Sequence, residues 1–534
     1  MSALIRDAPL GQCIRWATRN RLFPYPEEDP NFKLPSQYHF CMKDSDSSGE
    51  VKVADEKASP GDGSPLDQPS TATPLAKETA PVESPEAQVS DVPAIDQNAV
   101  HRPESIAEST PATEKDLELG QVETHRTALS RVGTRSEARK VESRRELEEV
   151  YEAATLEKRP TEVIRPDVLA DGTILVDFYD TDDADNPQNW SLRKKMFVQF
   201  IICYYTLAVY IGSALYAPSE TGVIEQFGVS ETASTLGLSL YVLAYGIGPM
   251  LWAPLSEIPV IGRNPPYVVT MVIFVVLTVP AALVQNFAGL LVLRFLQGFF
   301  GSPCLATGGA SLGDMYSLMK LPYALCLWAL FATGGPALGP IISGFSVPKT
   351  NWHWSMWELL WMSAPALIMM FCFLPETSTS NILLRRASRL RAKTGNAKVK
   401  SQSEIDQAAM SASDTAMFYL WKPWQITVLD PAVLFTSVYT ALVYGIFYSF
   451  FEVFPLVYPV MYDFNVGETG LAFLPIPLFG AFSIGLYWAY LWWYVEPKLR
   501  REGLPAPEKR LIPALASSIL VPVGLFWFGE FLLS

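Results

Sequence analysis

The chain has 534 residues, 49% of them hydrophobic, and a formal net charge of −14 at pH 7. Because the acidic residues lie mainly in the polar first 195 residues, this charge does not indicate a nucleic-acid partner, and none is expected. The six cysteines form no CxxC pair, the four histidines are scattered, and nucleophile, phosphate-loop and dinucleotide motifs are missing, so we expect no metal site, no cofactor and no enzymatic activity.

The first 195 residues are predicted to be a tail that is disordered over most of its length. Residues 1–43 contain a basic segment that could form an amphipathic helix on a membrane surface, or could equally be an ordinary tail segment. Residues 44–115 are rich in Ser, Pro, Glu, Asp and Ala and should be disordered, and residues 116–160 alternate charges as a solvated helix does. No apolar core of signal-peptide length is present, so we predict no cleaved signal.

Nine apolar segments follow, and each is long enough to cross a bilayer as a helix. They are predicted at 196–218, 233–255, 266–285, 289–313, 323–345, 356–375, 431–457, 469–495 and 511–532. Lysine and arginine are concentrated on one side of these segments, and Lys349 is the basic residue of the other side. Because basic loops remain in the cytoplasm, this asymmetry predicts a multi-pass membrane protein with a cytoplasmic N-terminus.

The spacing of the segments divides the chain into four regions. They are a cytoplasmic tail at 1–195, a six-helix bundle at 196–375, a basic cytoplasmic linker at 376–430, and three further helices at 431–534. Two bundles of six helices with a binding site between them are typical of transporters built from repeats. The sequence therefore predicts a second bundle that is short by three helices.

An arginine in the fourth segment lies beside a fifth segment that is rich in glycine and proline. A guanidinium in hydrocarbon costs several kcal/mol, so Arg294 should face a cavity or a partner. Glycines spaced four or five apart leave a helix face without side chains, and prolines bend a helix. These residues could form a moving transport pathway, or they could serve only helix packing and a structural pairing.

Several motifs occur in a fixed order along most of the chain outside the disordered tail. They are APLGQCIRWATRNRLFPYPEE, DNPQNWS, GPMLWAPLSEIPVIGRNPPY, RFLQGFFGSP, GDMY, GGPALGPIISG, LPETSTSNILLRRASRLR and YTALVYGIFYSFFEVFP. This combination resembles the major facilitator superfamily, and within it the twelve-helix fungal drug:proton antiporters of the benomyl, caffeine and fluconazole resistance group. The resemblance implies an all-α integral membrane protein of the major facilitator fold, with a six-helix N-terminal bundle and an incomplete C-terminal bundle of three helices.

The resemblance also implies a cytoplasmic gate and a proton-coupling site. The residues that match the gate signature, together with an acid at the inner end of the fourth segment, are Gly248, Glu257, Gly262, Arg263 and Asp314. The three charged residues could form a cluster that closes in one state and breaks in the other, or a permanent surface ion pair. Arg294 and Gln297 match a fourth-helix signature of proton coupling.

Two further features complete the predicted site. The residues that match the fifth-helix antiporter motif are Gly335, Pro336, Gly339, Pro340 and Gly344. Glu452, in the seventh segment, could bind a proton or a cationic drug, or it could lie at the membrane interface. Aromatic residues around Glu452 could stack against flat molecules, although most aromatics in membrane helices serve packing.

The function that the resemblance implies is proton-coupled antiport, in which alternating access exports small toxic compounds across the plasma membrane. The expected partners are a small-molecule substrate, protons and the lipid bilayer, and the expected oligomeric state is a monomer. The cargo could be a drug or a secondary metabolite of the cell. The alternative is a truncated membrane protein that does not transport: a pseudogene product, a partner or a sensor.

Overall fold

The structure is a computed structural model that describes residues 2–38, 161, 163–408, 417–502 and 511–533. Within these residues it is almost entirely helical, and nine stretches are long and apolar enough to cross a membrane. We number them span 1 to span 9: Leu192–Phe227, Glu231–Glu257, Asn264–Leu283, Phe287–Met315, Leu321–Lys349, Trp354–Phe373, Pro431–Tyr462, Val466–Leu499 and Ile512–Glu530. The predicted all-α membrane fold is therefore confirmed. The predicted disordered segment 44–115 and charged helix 116–160 lie outside the described residues.

Several spans are built from two or more consecutive helices. The helices within the spans are Leu192–Ala214, Glu220–Phe227, Glu231–Ser234, Leu236–Ile247, Pro249–Glu257, Asn264–Leu283, Phe287–Gly301, Pro303–Met315, Leu321–Ser346, Trp354–Phe373, Pro431–Tyr462, Val466–Leu471, Pro475–Tyr490, Glu496–Glu502, Ile512–Ser518 and Leu520–Leu533. New helices begin at Pro249 in span 2 and at Pro303 in span 4. Proline lacks an N–H and is tolerated at the first helical position, which explains why the breaks fall there. Span 1 extends well past its predicted end at residue 218, because helix Glu220–Phe227 follows a short turn.

Spans 1 to 6 pack into a bundle whose apolar core runs along span 1. Span 1 lies along span 5, span 2 along span 4, and span 3 along span 6. Tyr205, Met271 and Leu359 are fully buried members of this core. Span 5 also contacts span 8, and Phe451 of span 7 stacks on Phe473 of span 8 with ring centres 4.7 Å apart. Span 5 therefore joins the first six spans to the later ones.

Residues before span 1 fold together with the segment after span 6. The helices outside the spans are Ser2–Asp7, Pro9–Ala17, Thr379–Thr394, Gln402–Ala408 and Lys422–Leu429. Strand β1 (Ile174–Leu175) pairs in parallel with β2 (Val399–Lys400), and Ile174 faces Val399 in the register. Helix Pro9–Ala17 packs against spans 3 and 6. The basic linker, which the sequence analysis left without structure, therefore contains a helix, Thr379–Thr394, which we call the linker helix.

Candidate functional site

Arg294 is fully buried in span 4, and its guanidinium bonds to main-chain carbonyls. Its Nε donates to the oxygen of Gly237 at 3.0 Å and its Nη2 donates to the oxygen of Ser213 at 3.3 Å. Its Cζ lies 4.4 Å from the ring centre of Tyr241 and 5.1 Å from that of Tyr216. Its Nη1 has no hydrogen-bond partner, and no carboxylate within the described residues forms an ion pair with it. Main-chain carbonyl dipoles and aromatic ring faces therefore stabilise the positive charge of Arg294, and its Nη1 donates no hydrogen bond to the protein.

The carboxylates of Glu220 in span 1 and Glu452 in span 7 belong to the same site as Arg294. Both Arg294 and Glu452 interact electrostatically with Glu220. Glu220 is half-buried, and its Oε1 is buried without a hydrogen-bond partner. Glu452, which the sequence analysis selected, is exposed in span 7. Charged groups within membrane spans usually serve a pathway. Sequence reasoning missed Glu220 because it ended span 1 at residue 218, two residues before Glu220, whereas the span continues to Phe227.

Gln297, one turn further along span 4, is directed toward span 3. It is fully buried, and its Nε2 donates to Thr278 Oγ1 at 3.2 Å. Its Oε1 has no hydrogen-bond partner. The structure thus separates the two predicted residues of the fourth-helix signature, since Arg294 bonds to spans 1 and 2 while Gln297 bonds to span 3.

A group of tyrosines lies where spans 1, 2 and 7 meet. The hydroxyl of Tyr245 donates to that of Tyr448 at 2.7 Å, and Tyr448 Oη lies 3.1 Å from Ser213 Oγ. The ring of Tyr210 lies 5.4 Å from that of Tyr245, and the ring of Tyr444 lies 5.2 Å from that of Tyr448. Because the main-chain oxygen of Ser213 also accepts from Arg294, this group adjoins the charged site. Its rings and hydroxyls can both stack against and bond to a flat molecule.

The predicted antiporter motif brings the backbone of span 5 close to two neighbouring spans. All five motif residues are buried inside the continuous helix Leu321–Ser346: Gly335, Pro336, Gly339, Pro340 and Gly344. A Cβ on Gly339 would lie 2.8 Å from the backbone nitrogen of Leu215 in span 1. A Cβ on Gly344 would lie 2.9 Å from the carbonyl oxygen of Val466 in span 8. The motif therefore lets one helix pack backbone to backbone against two neighbours.

The structure brings the three predicted gate charges together in what we call the Arg263 cluster (Glu257, Arg263 and Asp314). Arg263 is buried, its Nε donates to Asp314 Oδ2 at 2.5 Å, and its Nη1 donates to Glu257 Oε1 at 2.8 Å. Burial alone would lower the pKa of Arg263, but the charges of Asp314 and Glu257 outweigh it and raise that pKa above its ordinary value. Arg263 therefore stays charged, and the opening and closing of the cluster stays a prediction.

The two predicted gate glycines, Gly248 and Gly262, differ in the structural reason for which glycine is needed. Gly248 lies against span 4, where a Cβ would overlap the side chain of Ser302. Gly262 has φ +77°, which glycine adopts at little cost, and a Cβ there would lie 2.7 Å from Glu376 Oε2. Gly248 therefore requires glycine for space, and Gly262 requires it for its backbone conformation.

Glu376, which the sequence analysis did not select, organises the loop between spans 2 and 3. Its Oε1 accepts from the backbone N–H of Arg263 at 3.0 Å, and its Oε2 accepts from that of Asn264 at 3.2 Å. The carboxylate is buried. Glu376 is the acidic residue of the LPETSTS motif. The motif alone does not show that this carboxylate bonds to a loop more than 100 residues earlier in the chain.

The chemical groups of this site are an arginine, two carboxylates and tyrosine hydroxyls. Such groups can bind and release protons and can hold a cation or a flat aromatic molecule. In the part of the chain that the structure describes, no group of three or more His, Cys, Asp or Glu side chains could hold a metal ion.

Comparison with known proteins gives both a family match and several relatives. The sequence profile of the Major Facilitator Superfamily matches residues 202–533. MFS-type transporter pyvG from Aspergillus violaceofuscus is 50% identical over 68% of this chain and 67% of its own length. Multidrug transporter FLR2 from Candida glabrata is 41% identical over 66% of this chain and 60% of its own. Transporter mfs1 from Schizosaccharomyces pombe is 39% identical over 68% of each chain. The aligned region thus spans 60% to 68% of the length of these relatives.

Proposed function

The chain belongs to the major facilitator superfamily, and on that premise we propose that it is a proton-coupled antiporter that exports small toxic or drug-like compounds. Its place is the plasma membrane, with the N-terminus in the cytoplasm, and it acts as a monomer. Members of this family carry small molecules across membranes, and the name of multidrug transporter FLR2 supports a drug-like cargo. The inward proton gradient is the proposed source of energy.

The observation that carries this proposal is the fully buried guanidinium of Arg294, which forms no ion pair with a carboxylate of the described residues. Its Nη1 and the Oε1 of Glu220 are both buried without a hydrogen-bond partner, and the two side chains interact electrostatically. A fixed positive charge favours the ionised form of a nearby carboxylate, so a proton and a cationic cargo can compete for that carboxylate. Arg294, Glu220 and Glu452 are thus the proposed proton-coupling residues, and Gln297 supports the helix that carries Arg294.

Alternating access requires contacts that open on one side while they close on the other. The Arg263 cluster is the proposed cytoplasmic gate, because a partly buried ion pair that is also hydrogen-bonded has two discrete states, made and broken. The close backbone contact between Gly344 and Val466 lies between span 5 and span 8. It is the proposed surface on which the two bundles rock.

The proposal is tested by drug accumulation in cells. The chain and its Arg294→Ala variant are expressed at matched membrane levels in a yeast strain that lacks its own drug exporters. We expect the wild-type chain to lower the steady-state level of a fluorescent cationic dye, and a protonophore to abolish this effect. A wild-type effect that persists with protonophore present, or that Arg294→Ala retains in full, would refute proton coupling at this site.

A further inference from the structure

We propose that the N-terminal segment, residues 2–38, positions the Arg263 cluster by clamping the linker helix. Glu27 is the positioning residue of this clamp. It touches neither the Arg263 cluster nor the membrane site, and it acts through the linker helix Thr379–Thr394 and Glu376. The geometry that supports this inference runs from the N-terminal segment to the loop between spans 2 and 3.

Glu27 is held by two arginines of the linker helix. It is 1% exposed, and Arg386 is also 1% exposed. Arg389 Nε donates to Glu27 Oε2 at 3.1 Å, and Arg386 Nε lies 3.5 Å from Glu27 Oε1. The hydroxyl of Tyr179 donates to the same Oε1 at 3.0 Å. A buried charge persists only with partners of this kind, so the segment is docked in one position.

The linker helix is also fixed to the residues that precede span 1. Arg386 Nη1 lies 2.6 Å from Asp183 Oδ2, and Arg386 Nη2 lies 2.8 Å from Asp185 Oδ2. The pairing of β1 with β2 and a small apolar core that includes Tyr38 and Leu390 reinforce this contact. Segments far apart in sequence therefore hold the middle and the C-terminal part of one helix.

The first half of the same helix is fixed to the loop that carries Arg263. Asn381 Nδ2 donates to the carbonyl oxygen of Pro259 at 2.7 Å. Glu376, just before the helix, accepts from the backbone N–H groups of Arg263 and Asn264. The helix has 16 residues without interruption and is about 24 Å long, so it connects the two ends rigidly.

Two carboxylates that pair with arginines in this region, Asp183 and Glu28, have lowered pKa values. Burial alone would raise the pKa of Asp183, but the hydrogen bonds and charge of Arg386 outweigh it and hold that pKa below its ordinary value. The same balance, with Arg15 as the partner, holds the pKa of Glu28 below its ordinary value. These carboxylates remain charged throughout the cytoplasmic pH range.

Hydrogen–deuterium exchange of the purified full chain in lipid nanodiscs tests the clamp. We expect Glu27→Gln to raise the exchange rate of peptides covering 258–264 about tenfold, because the bonds to Glu376 open more often. Glu404→Gln is the matched control. Glu404 Oε1 lies 2.6 Å from Nη2 of Arg391, which is on the linker helix, but Glu404 belongs to the linker and not to the N-terminal segment. We expect this control to leave the 258–264 peptides unchanged. The measurement requires no transport, so its outcome does not depend on the proposed function.

A second variant keeps the test decisive if Glu27→Gln disturbs the whole fold. Arg389→Gln removes one partner of Glu27 and the stacking on Tyr25, at 3.9 Å, while the pairs of Arg386 remain. We expect the exchange rate of the peptides covering 258–264 to rise by less than it does in Glu27→Gln. If a folded Glu27→Gln or Arg389→Gln protein releases residues 2–38 while 258–264 exchanges at the wild-type rate, the N-terminal segment does not position the cluster and the inference is wrong.

Discussion

The guanidinium carbon of Arg294 in span 4 lies 4.4 Å from the ring centre of Tyr241 in span 2. A guanidinium that contacts an aromatic ring and main-chain carbonyls is stabilised, but its charge is not neutralised. Within the described residues, no ion pair joins Arg294 to a carboxylate. Its field is therefore available to a group that changes its charge during transport, which is the physical basis of the proposed coupling.

Glu220 and Glu452 are expected to differ in their importance for proton coupling. Glu220 is half-buried with an unpartnered Oε1, whereas Glu452 is exposed. We predict that Glu220→Gln lowers the initial rate of pH-gradient-driven transport in inside-out vesicles about tenfold or more, and that Glu452→Gln has a smaller effect. The opposite order of effects, at matched protein levels, would assign the coupling role to Glu452.

The Arg263 cluster provides a second matched pair of variants. The Asp314 side chain is 21% exposed and that of Glu257 is 51% exposed. Asp314→Asn removes the more buried partner of Arg263, so we expect it to destabilise the protein by about 1.5–3 kcal/mol and to lower transport strongly. Glu257→Gln should lower the free energy of unfolding by less than about 1 kcal/mol. Thermal unfolding together with transport assays measures both effects, and equal effects would contradict the different burial of the two acids.

The glycines of span 5 allow a test of helix contact within one element. Gly339→Ala would place a Cβ 2.8 Å from the backbone nitrogen of Leu215, whereas Gly334→Ala would place one 3.7 Å from Pro477, an ordinary contact. We expect Gly339→Ala to cost about 1–3 kcal/mol by overpacking and to lower transport. Gly334→Ala should be neutral or slightly stabilising, because alanine favours a helix by about 1 kcal/mol over glycine. Unfolding midpoints and transport rates give the comparison.

The contact between the linker helix and the residues before span 1 should depend on acid pH. The pKa of Asp183 is lower in the folded protein than its ordinary value, so its contribution to stability is present above about pH 4 and is lost as the pH falls through the lowered pKa. We predict a flat thermal midpoint from neutral to mildly acidic pH and a decline below about pH 4.

Asp183→Asn should lower the midpoint at pH 7 by about 2–4 °C and make the acid decline shallower. Asp406→Asn is the control, since its carboxylate bonds to Gln402 at the surface. A wild-type midpoint that rises on acidification would contradict the assigned direction.

The sequence reveals the spans and much of the site, because hydropathy and local motifs are short-range signals. Arg294 stands out as a charge in an apolar run, and the glycines of span 5 stand out by their spacing. Residues that act through distant partners do not stand out in this way. Glu27 lies 362 residues from Arg389, and both look like ordinary solvated charges in a polar segment. Glu220 escaped detection because its environment depends on the end of span 1 and on span 7.

The central claim is that the proton gradient drives export through the Arg294 site. The most direct measurement is proton release from inside-out vesicles that contain the wild-type chain or Arg294→Lys, after addition of a cationic substrate. We predict that substrate addition drives proton movement opposite to the substrate in wild-type vesicles. Arg294→Lys keeps a positive charge but loses the forked donors to Gly237 and Ser213 that fix this charge where it interacts with Glu220, so the coupled proton flux should fall about tenfold or more while substrate binding is retained. Substrate transport without any proton movement in the wild-type chain would contradict the account.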